Sequence, residues 1–122
     1  MIKFENVSKK FGDDMEVVKS LNLEINKGEL LVLIGPSGCG KTTTMKMINR
    51  LVPHSKGRIT IDGKDINMLD PVTLRRDIGY VIQQIGLFPH YTIEENIALI
   101  PKLKKWKEPE IKERVNQLMK MV

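Results

Sequence analysis

The fold of this chain is decided by one stretch, Gly35-Pro36-Ser37-Gly38-Cys39-Gly40-Lys41-Thr42. It satisfies the phosphate-loop pattern of a glycine, four residues, a second glycine, a lysine and a serine or threonine. Glycines let the backbone curl closely around a ligand, so that several N–H groups converge on one polyphosphate. The stretch therefore predicts a phosphate-binding loop.

The residues on either side of this loop supply the strand and the helix that it requires. Before the loop, Leu30 to Ile34 is a continuous apolar run, which is typical of a strand covered on both faces and predicts a central strand. After the loop, apolar residues recur at helical spacing until Pro53, which predicts a helix from Lys41 to Val52. This context disfavours a merely structural glycine turn.

Each loop residue has a chemical role to which it is suited. The N–H groups of Gly38 to Thr43 are the candidate phosphate donors, because a helix start favours negative charge. Lys41 is expected to reach the terminal phosphates, and Thr42 to supply a hydroxyl ligand for Mg²⁺. Cys39 is interpreted as a small loop residue rather than a redox switch. The predicted site comprises Gly35, Pro36, Ser37, Gly38, Cys39, Gly40, Lys41, Thr42 and Thr43.

The rest of the chain divides into short periodic segments. Period-two alternation predicts exposed antiparallel strands around residues 2–4, 21–25 and 57–63, the last closing on an Asp62-Gly63 turn. A further strand is predicted at Ile78–Ile82, and helices at 70–76, at 93–99 and from Pro109 onward. The last helix has no stop signal before Val122, so we expect the sequence to be cut within it.

Composition narrows the class of protein. The net charge of +5 suits an anionic partner, and a single cysteine excludes an internal disulfide. The longest aliphatic run has five residues, whereas a membrane-spanning helix needs about twenty. We therefore expect a chain that neither crosses a membrane nor is secreted.

The order of these segments resembles the ATP-binding-cassette (ABC) ATPase family over the whole chain. Val7 to Gly12 is similar to the aromatic loop of that family, which would place Phe11 against the adenine of ATP. Ile78 to Gln83 is similar to the strand that leads into its glutamine loop. The resemblance implies an α/β fold, namely an incomplete P-loop NTPase core of the ABC type. Residues of about 1–85 would hold the antiparallel β-subdomain with the phosphate loop, and about 86–122 the glutamine loop and the start of the helical subdomain.

The resemblance also assigns a role to Gln83. At the glutamine position of the family this side chain would touch Mg²⁺ or the attacking water. An amide oxygen can coordinate a hard cation and accept a hydrogen bond from water, so a glutamine side chain suits this role. The implied cofactors are ATP and Mg²⁺, and the implied catalytic residues are Lys41 and Gln83.

Two further segments narrow the resemblance to importers. Leu87 to Ile97 is similar to the segment that receives a coupling helix from the membrane subunit. Residues 70–76 followed by 80–90 resemble importers of glycine betaine, carnitine and choline. The implied protein hydrolyses ATP on the cytoplasmic side of the membrane. Its implied partners are transmembrane permease subunits, a second ATPase copy and, indirectly, a solute-binding protein, but no nucleic acid.

Parts of the family site do not occur in this sequence. The Leu-Ser-Gly-Gly-Gln signature, a second acidic strand with a general base, and a switch histidine are absent, so the chain alone is expected to be inactive. Two alternatives stay open: a nucleotide-binding module that never hydrolyses, and an ABC ATPase associated with nucleic acid. The lysines of residues 102–107 around Trp106 could contact anionic lipid or nucleic acid, although a solvated helix end is the simpler interpretation.

Overall fold

The chain forms two compact units. The computed structural model describes residues 1–12, 15–84 and 86–122. Contacts between Cα atoms divide these residues into Met1–Ile78 and Gly79–Val122. Each unit is described by itself below.

The first unit is built on a four-stranded antiparallel sheet with the order β2-β1-β3-β4. Its strands are β1 (Ile2–Phe11), β2 (Met15–Ile25), β3 (Lys56–Ile61) and β4 (Lys64–Asp65). Ile2 of β1 pairs with Ile25 on one side and with Ile61 on the other. The antiparallel strands predicted from period-two alternation are confirmed.

The predicted Asp62-Gly63 turn is also confirmed. Both residues have positive φ angles, 48° and 77°, which is the conformation of the two-residue hairpin turn that asparagine, aspartate and glycine favour. The turn joins β3 to β4 and fixes the register Ile61 to Lys64.

One face of the sheet carries the core of this unit. In the chain, helix α1 (Lys41–Ile48) lies between β2 and β3. A short 3₁₀ turn (Ile66–Met68) and helix α2 (Pro71–Asp77) follow β4. Burying each aliphatic or aromatic side chain contributes about 1.5–3 kcal/mol. The buried apolar cluster consists of Phe4, Val7, Val18, Met47, Ile59, Ile66 and Leu74.

Helix α1 ends earlier than the sequence predicts. It was predicted to continue to Val52 but ends at Ile48, and Arg50 adopts a left-handed φ of 51°. Arg75 of α2 donates to the carbonyls of Asn49 at 3.0 Å and Arg50 at 2.8 Å. These long-range hydrogen bonds give partners to carbonyls at the end of the helix, which no longer have a partner within it.

The predicted strands at Leu30–Ile34 and Ile78–Ile82 are wrong for this structure. Neither segment is assigned as a strand, and Leu30 and Ile34 are 88% and 91% exposed. A strand exists through hydrogen bonds to a neighbour, and the described sheet pairs neither segment. Apolar composition without a partner does not produce a strand.

Helix α2 begins as the sequence predicts. The Asp70 carboxylate accepts from the N–H of Thr73 at 2.7 Å and from its hydroxyl at 2.8 Å, and Pro71 occupies the first turn. The hydrogen bond from the Thr73 N–H holds the pKa of Asp70 below its ordinary value. This is the capping pattern that stabilises a helix start.

The second unit is a helical hairpin. Helix α3 (Ile93–Leu103) and helix α4 (Glu108–Met121) pack through Ala98, Ile111 and Val115. At the start of α3, Thr92 and Glu95 form a reciprocal capping box. Both predicted helices are confirmed. Within the described residues, every helix is too short or too polar to cross a membrane.

Candidate nucleotide-binding site

The predicted phosphate loop leads directly into the start of α1. The first hydrogen bond of the helix runs from the Thr44 N–H to the Gly40 carbonyl at 2.8 Å. The N–H groups of Lys41, Thr42 and Thr43 therefore precede the helical ladder. No side chain caps this end, and its first turn contains no acidic residue. The helix start can thus donate to an anion without competition from a carboxylate.

Glycine is required where the loop meets the sheet. Gly40 has a φ of 98°, and a Cβ at this position would lie 2.8 Å from the Val17 carbonyl oxygen and 3.1 Å from a methyl carbon of Val18. Any other residue would push the loop away from β2. The close approach fixes the start of α1 on the strand that carries the core residue Val18.

The Lys41 ammonium lies inside the curl of the loop. Its Nζ donates to the carbonyl oxygens of Gly35 and Pro36, both at 2.7 Å, and contacts the Cys39 Sγ at 3.4 Å. The predicted loop residues therefore surround the Lys41 ammonium. These carbonyl contacts were missed by the sequence analysis, because nothing in the motif specifies what the lysine contacts within its own loop.

The hydroxyl groups of the first helical turn have different surroundings. Thr44 donates its hydroxyl hydrogen to the Gly40 carbonyl at 3.0 Å and is buried, whereas Thr42 is exposed. The described residues contain no group of three histidine, cysteine or acidic side chains that could hold a metal. The donor set fits an ion held by one hydroxyl together with phosphate and water oxygens, as Mg²⁺ prefers.

Phe11 lies at the end of β1, opposite Met15 of β2. The Lys9 ammonium lies 4.7 Å from the centre of the ring, and Phe11 keeps 40% of its surface exposed. Strand β2 also carries Val17 and Val18, the residues against which Gly40 packs. The predicted aromatic residue and the phosphate loop thus contact neighbouring positions of the same strand.

Gln83 belongs to the second unit and is exposed. The structure brings together the residues of the loop and the start of α1. The role of Gln83 at the site stays a prediction. The segment that follows it is shaped by Asn96, which donates to the carbonyls of Phe88 at 3.2 Å, Tyr91 at 3.3 Å and Thr92 at 2.9 Å. Its Oδ1 accepts from the Phe88 N–H at 2.8 Å. The sequence analysis missed this role, whose only signal was an asparagine in the first turn of a helix.

These features place a loop with the phosphate-loop sequence pattern at the uncapped start of a helix. A family model described as ABC transporter matches residues 18–122, and the chain belongs to this family. The predicted family and the predicted ABC-type ATPase fold class are confirmed.

Among curated proteins, the chain is 62% identical over 122 residues to the glycine betaine/carnitine/choline transport ATP-binding protein OpuCA of Bacillus subtilis, covering all of this chain and 32% of that protein. It is 59% identical over 122 residues to the carnitine transport ATP-binding protein OpuCA of Listeria monocytogenes, covering 100% and 31%. It is 55% identical over 126 residues to the osmoprotectant import ATP-binding protein OsmV of Salmonella typhimurium, covering 100% and 33%. The chain therefore spans about a third of the length of these relatives.

Solved structures show the same likeness. The dimeric, post-hydrolysis ATP-binding cassette MJ0796 bound to ADP and Pi superposes with a TM-score of 0.84 at 37% identity, covering 99% of this chain and 56% of that chain. A bacterial Atm1-family ABC exporter with ATP bound superposes with a TM-score of 0.74 at 37% identity, covering 80% and 17%.

Proposed function

We propose that the protein is the ATP-binding and ATP-hydrolysing subunit of an importer of small quaternary amines such as glycine betaine, carnitine or choline. The observation that carries this proposal is the high identity, along the whole chain, to transport ATP-binding proteins named for these solutes. The intact loop at the start of α1 supplies the phosphate-binding part. An ABC ATPase that acts on nucleic acid is less well supported, because the relatives reported above are named for transport or import.

Phosphate binding would rest on the loop and the start of α1. The N–H groups of Gly38 to Thr43 donate to the phosphate oxygens. Lys41 exchanges the carbonyls of Gly35 and Pro36, at 2.7 Å, for phosphate oxygens. Phosphate oxygens carry negative charge that the two carbonyls lack, so the Lys41 ammonium gains an ion pair in the exchange.

The adenine would stack on Phe11, whose ring is exposed at the end of β1. Stacking recognises the base by its flat face and needs few hydrogen bonds. Lys9, held 4.7 Å from the ring centre, keeps the aromatic side chain in place and leaves a positive charge near the nucleotide.

Thr42 and Gln83 would hold Mg²⁺, and Gln83 would also orient the attacking water. The bound ion would neutralise the charge that develops on the phosphates. Thr42 contributes an exposed hydroxyl next to Lys41. Gln83 contributes an amide that can accept from water or coordinate the ion.

The whole protein would act as a pair of ATPase subunits below two transmembrane permease subunits, peripheral on the cytoplasmic side of the membrane. A solute-binding protein would contact the permease side of the complex. The dimeric state named for MJ0796 supports a second ATPase copy.

The proposal is tested by calorimetry of MgATP binding to this chain. Replacing Lys41 by alanine should weaken binding by about tenfold to a hundredfold, because hydrogen bonds to charged groups contribute about 1.5–3 kcal/mol. The matched control is Lys46→Ala, which removes a lysine from the last turn of the same helix and should leave the affinity unchanged. Equal affinity of wild type and Lys41→Ala would refute the assigned role of Lys41.

The base-binding role of Phe11 has its own test. Phe11→Ala should weaken ATP binding by about twofold to tenfold, since aromatic contacts of this kind contribute about 0.5–1.5 kcal/mol beyond buried area. Pyrophosphate, which lacks a base, is the control ligand and should bind with unchanged affinity. A parallel loss for both ligands would place Phe11 outside the base site.

This chain alone is expected not to turn over ATP, whereas the longer protein is expected to do so. The sequence of 122 residues lacks a general base and the signature stretch, so water activation and part of the charge stabilisation are missing. Steady-state phosphate release is the measurement. Release by the purified chain that is abolished by Lys41→Ala would contradict this expectation.

A further inference from the structure

Two arginine side chains enclose the end of helix α1. Arg75 of α2 donates through Nε to the Asn49 carbonyl at 3.0 Å and through Nη2 to the Arg50 carbonyl at 2.8 Å. Arg50 in turn donates through Nη1 to the carbonyls of Ile66 at 3.1 Å and Leu69 at 2.6 Å. We call this pair of side chains the arginine clasp. It connects the end of α1 both to the 3₁₀ turn and to α2.

The backbone of Arg50 has a conformation that glycine would adopt more easily. Its φ is 51°, and its N–H donates to the Met47 carbonyl at 3.0 Å, while the N–H of Leu51 donates to the Lys46 carbonyl at 2.9 Å. Helices commonly end in such a left-handed turn, usually with glycine at its centre. A Cβ makes this conformation unfavourable. An arginine at this position therefore indicates that its side chain has a use that glycine could not serve.

The other end of α1 is held at the phosphate loop. There Gly40 packs against Val17 and Val18 of β2. Between the two ends, the buried residues of the helix are Thr44 and Met47, which are three positions apart and lie on one face. A single line of contacts leaves a short helix able to rotate over the sheet. The arginine clasp supplies a second fixed point and so sets the direction of the helix axis.

The direction of this axis affects hydrogen bonds at the opposite end of the helix. Helix α1 has eight residues and is therefore about 12 Å long. Over that length, a rotation of roughly 5° about one end moves the other end by about 1 Å. Donor–acceptor distances of N–H···O hydrogen bonds lie within about 2.7–3.2 Å. A small rotation would therefore take the N–H groups of the first turn out of range of a bound phosphate.

We propose that the arginine clasp positions helix α1 for phosphate binding, a role that rests on the proposed nucleotide-binding function. Arg50 and Arg75 fix the end of the helix and thereby direct the N–H groups of its first turn, together with Lys41, at the phosphates. Both arginines are positioning residues, because they act through the backbone of α1 rather than on the ligand.

A role limited to stability predicts a different result. Variants of the clasp would then melt at a lower temperature, while the folded molecules would bind phosphate as tightly as the wild type does. Calorimetry separates the two roles, because an unfolded fraction lowers the stoichiometry of binding whereas a misdirected helix lowers the affinity. The probe is magnesium pyrophosphate, which tests the phosphate site without the base.

The first variant is Arg75→Met, which removes the donors of Arg75 and keeps a long unbranched stem. We expect its affinity for pyrophosphate and for MgATP to fall by the same factor, about twofold to thirtyfold, as is common for residues that act without touching the ligand. The stoichiometry should not change. Arg75→Lys retains a cation and a donor and should lose less. The matched control is Arg76→Met, at the adjacent exposed position of α2, which should bind like the wild type.

The second variant, Arg50→Gly, separates the side chain from the helix end. Glycine suits the left-handed conformation, so α1 should still end at the same residue, and circular dichroism should show unchanged helix content. The donors to Ile66 and Leu69 are nevertheless lost. We expect weaker pyrophosphate binding in the same range as for Arg75→Met, again at unchanged stoichiometry.

The outcomes distinguish the clasp from the nucleotide site itself. Wild-type affinity in both Arg75→Met and Arg50→Gly, with binding abolished by Lys41→Ala, would overturn the clasp and leave the proposed function intact. A fall in stoichiometry alone would assign the clasp to stability and would also overturn its positioning role. If the wild-type chain binds neither pyrophosphate nor MgATP, both proposals are wrong.

Discussion

Strand β3 and the segment Leu30–Ile34 are both rich in isoleucine, leucine or valine, yet their structures differ. Ile59 of β3 is fully buried, whereas Ile34 is 91% exposed. Ile59 pairs with Phe4 of β1, while the described sheet offers no neighbour to Leu30–Ile34. The segment with the longer apolar run is the one without a strand. Pairing, more than hydrophobicity, decides which of these segments becomes part of a sheet.

The largest expected effect comes from the same substitution in both regions. Ile59→Ala should lower the free energy of unfolding by about 2–5 kcal/mol, because it opens a cavity in the core. Ile34→Ala should change it by less than about 0.5 kcal/mol, as exposed substitutions usually do. Urea unfolding of the two variants measures the difference. A large loss for Ile34→Ala would show that Leu30–Ile34 is covered in solution.

A smaller effect is expected on self-association. The exposed apolar segment Leu30–Ile34, which the described sheet does not pair, should let copies of this chain associate or exchange elements. Val32→Lys should shift the association midpoint by about tenfold or more, because a lysine on an edge opposes strand pairing. The control is Val72→Lys on α2, since Val72 is also exposed, at 52%. Sedimentation velocity over a concentration series is the measurement, and a strictly monomeric wild-type chain would contradict the expectation.

The smallest expected effect is on the pH dependence of the melting temperature. It concerns helix α2, whose start needs no distant partner. The Thr73 N–H lowers the pKa of Asp70 in the folded chain. A lowered pKa means that the stabilisation is present above the unfolded pKa of Asp, about 4, and is lost as the pH falls through the folded value. The melting temperature of the wild type should therefore decrease more below pH 4 than that of Asp70→Asn, which keeps a neutral cap. Identical pH profiles would show that the Asp70 charge contributes nothing.

The sequence predicted the elements whose cause is local. Alternation located the start of β1 and the end of β2, the Asp62-Gly63 pair specified its turn, and Asp70 specified the start of α2. The segments at 30–34 and 78–82 could not be predicted as unpaired, because a strand depends on neighbours that no local pattern reveals. Likewise, the early end of α1 depends on Arg75, which is distant in the sequence.

The same distinction holds for the candidate site. The phosphate-loop motif located the start of α1 and the need for glycine at position 40, because these follow from backbone geometry. The carbonyl contacts of Lys41 and the loop contacts of Asn96 were not foreseen. They depend on where a flexible side chain points, which spacing alone does not specify.

The pairing of β1 with β3, in which Ile2 lies opposite Ile61, has a consequence for synthesis on the ribosome. Elongation adds about 5–20 residues per second, so β1 waits for β3 for roughly 2.5–10 s after it has been made. During this time the β1–β2 hairpin has a free edge and an uncovered apolar face. Helices α3 and α4 join through a short turn and can form within microseconds of their release. The β1–β2 hairpin should therefore stay exposed during synthesis for far longer than the pair of helices α3 and α4.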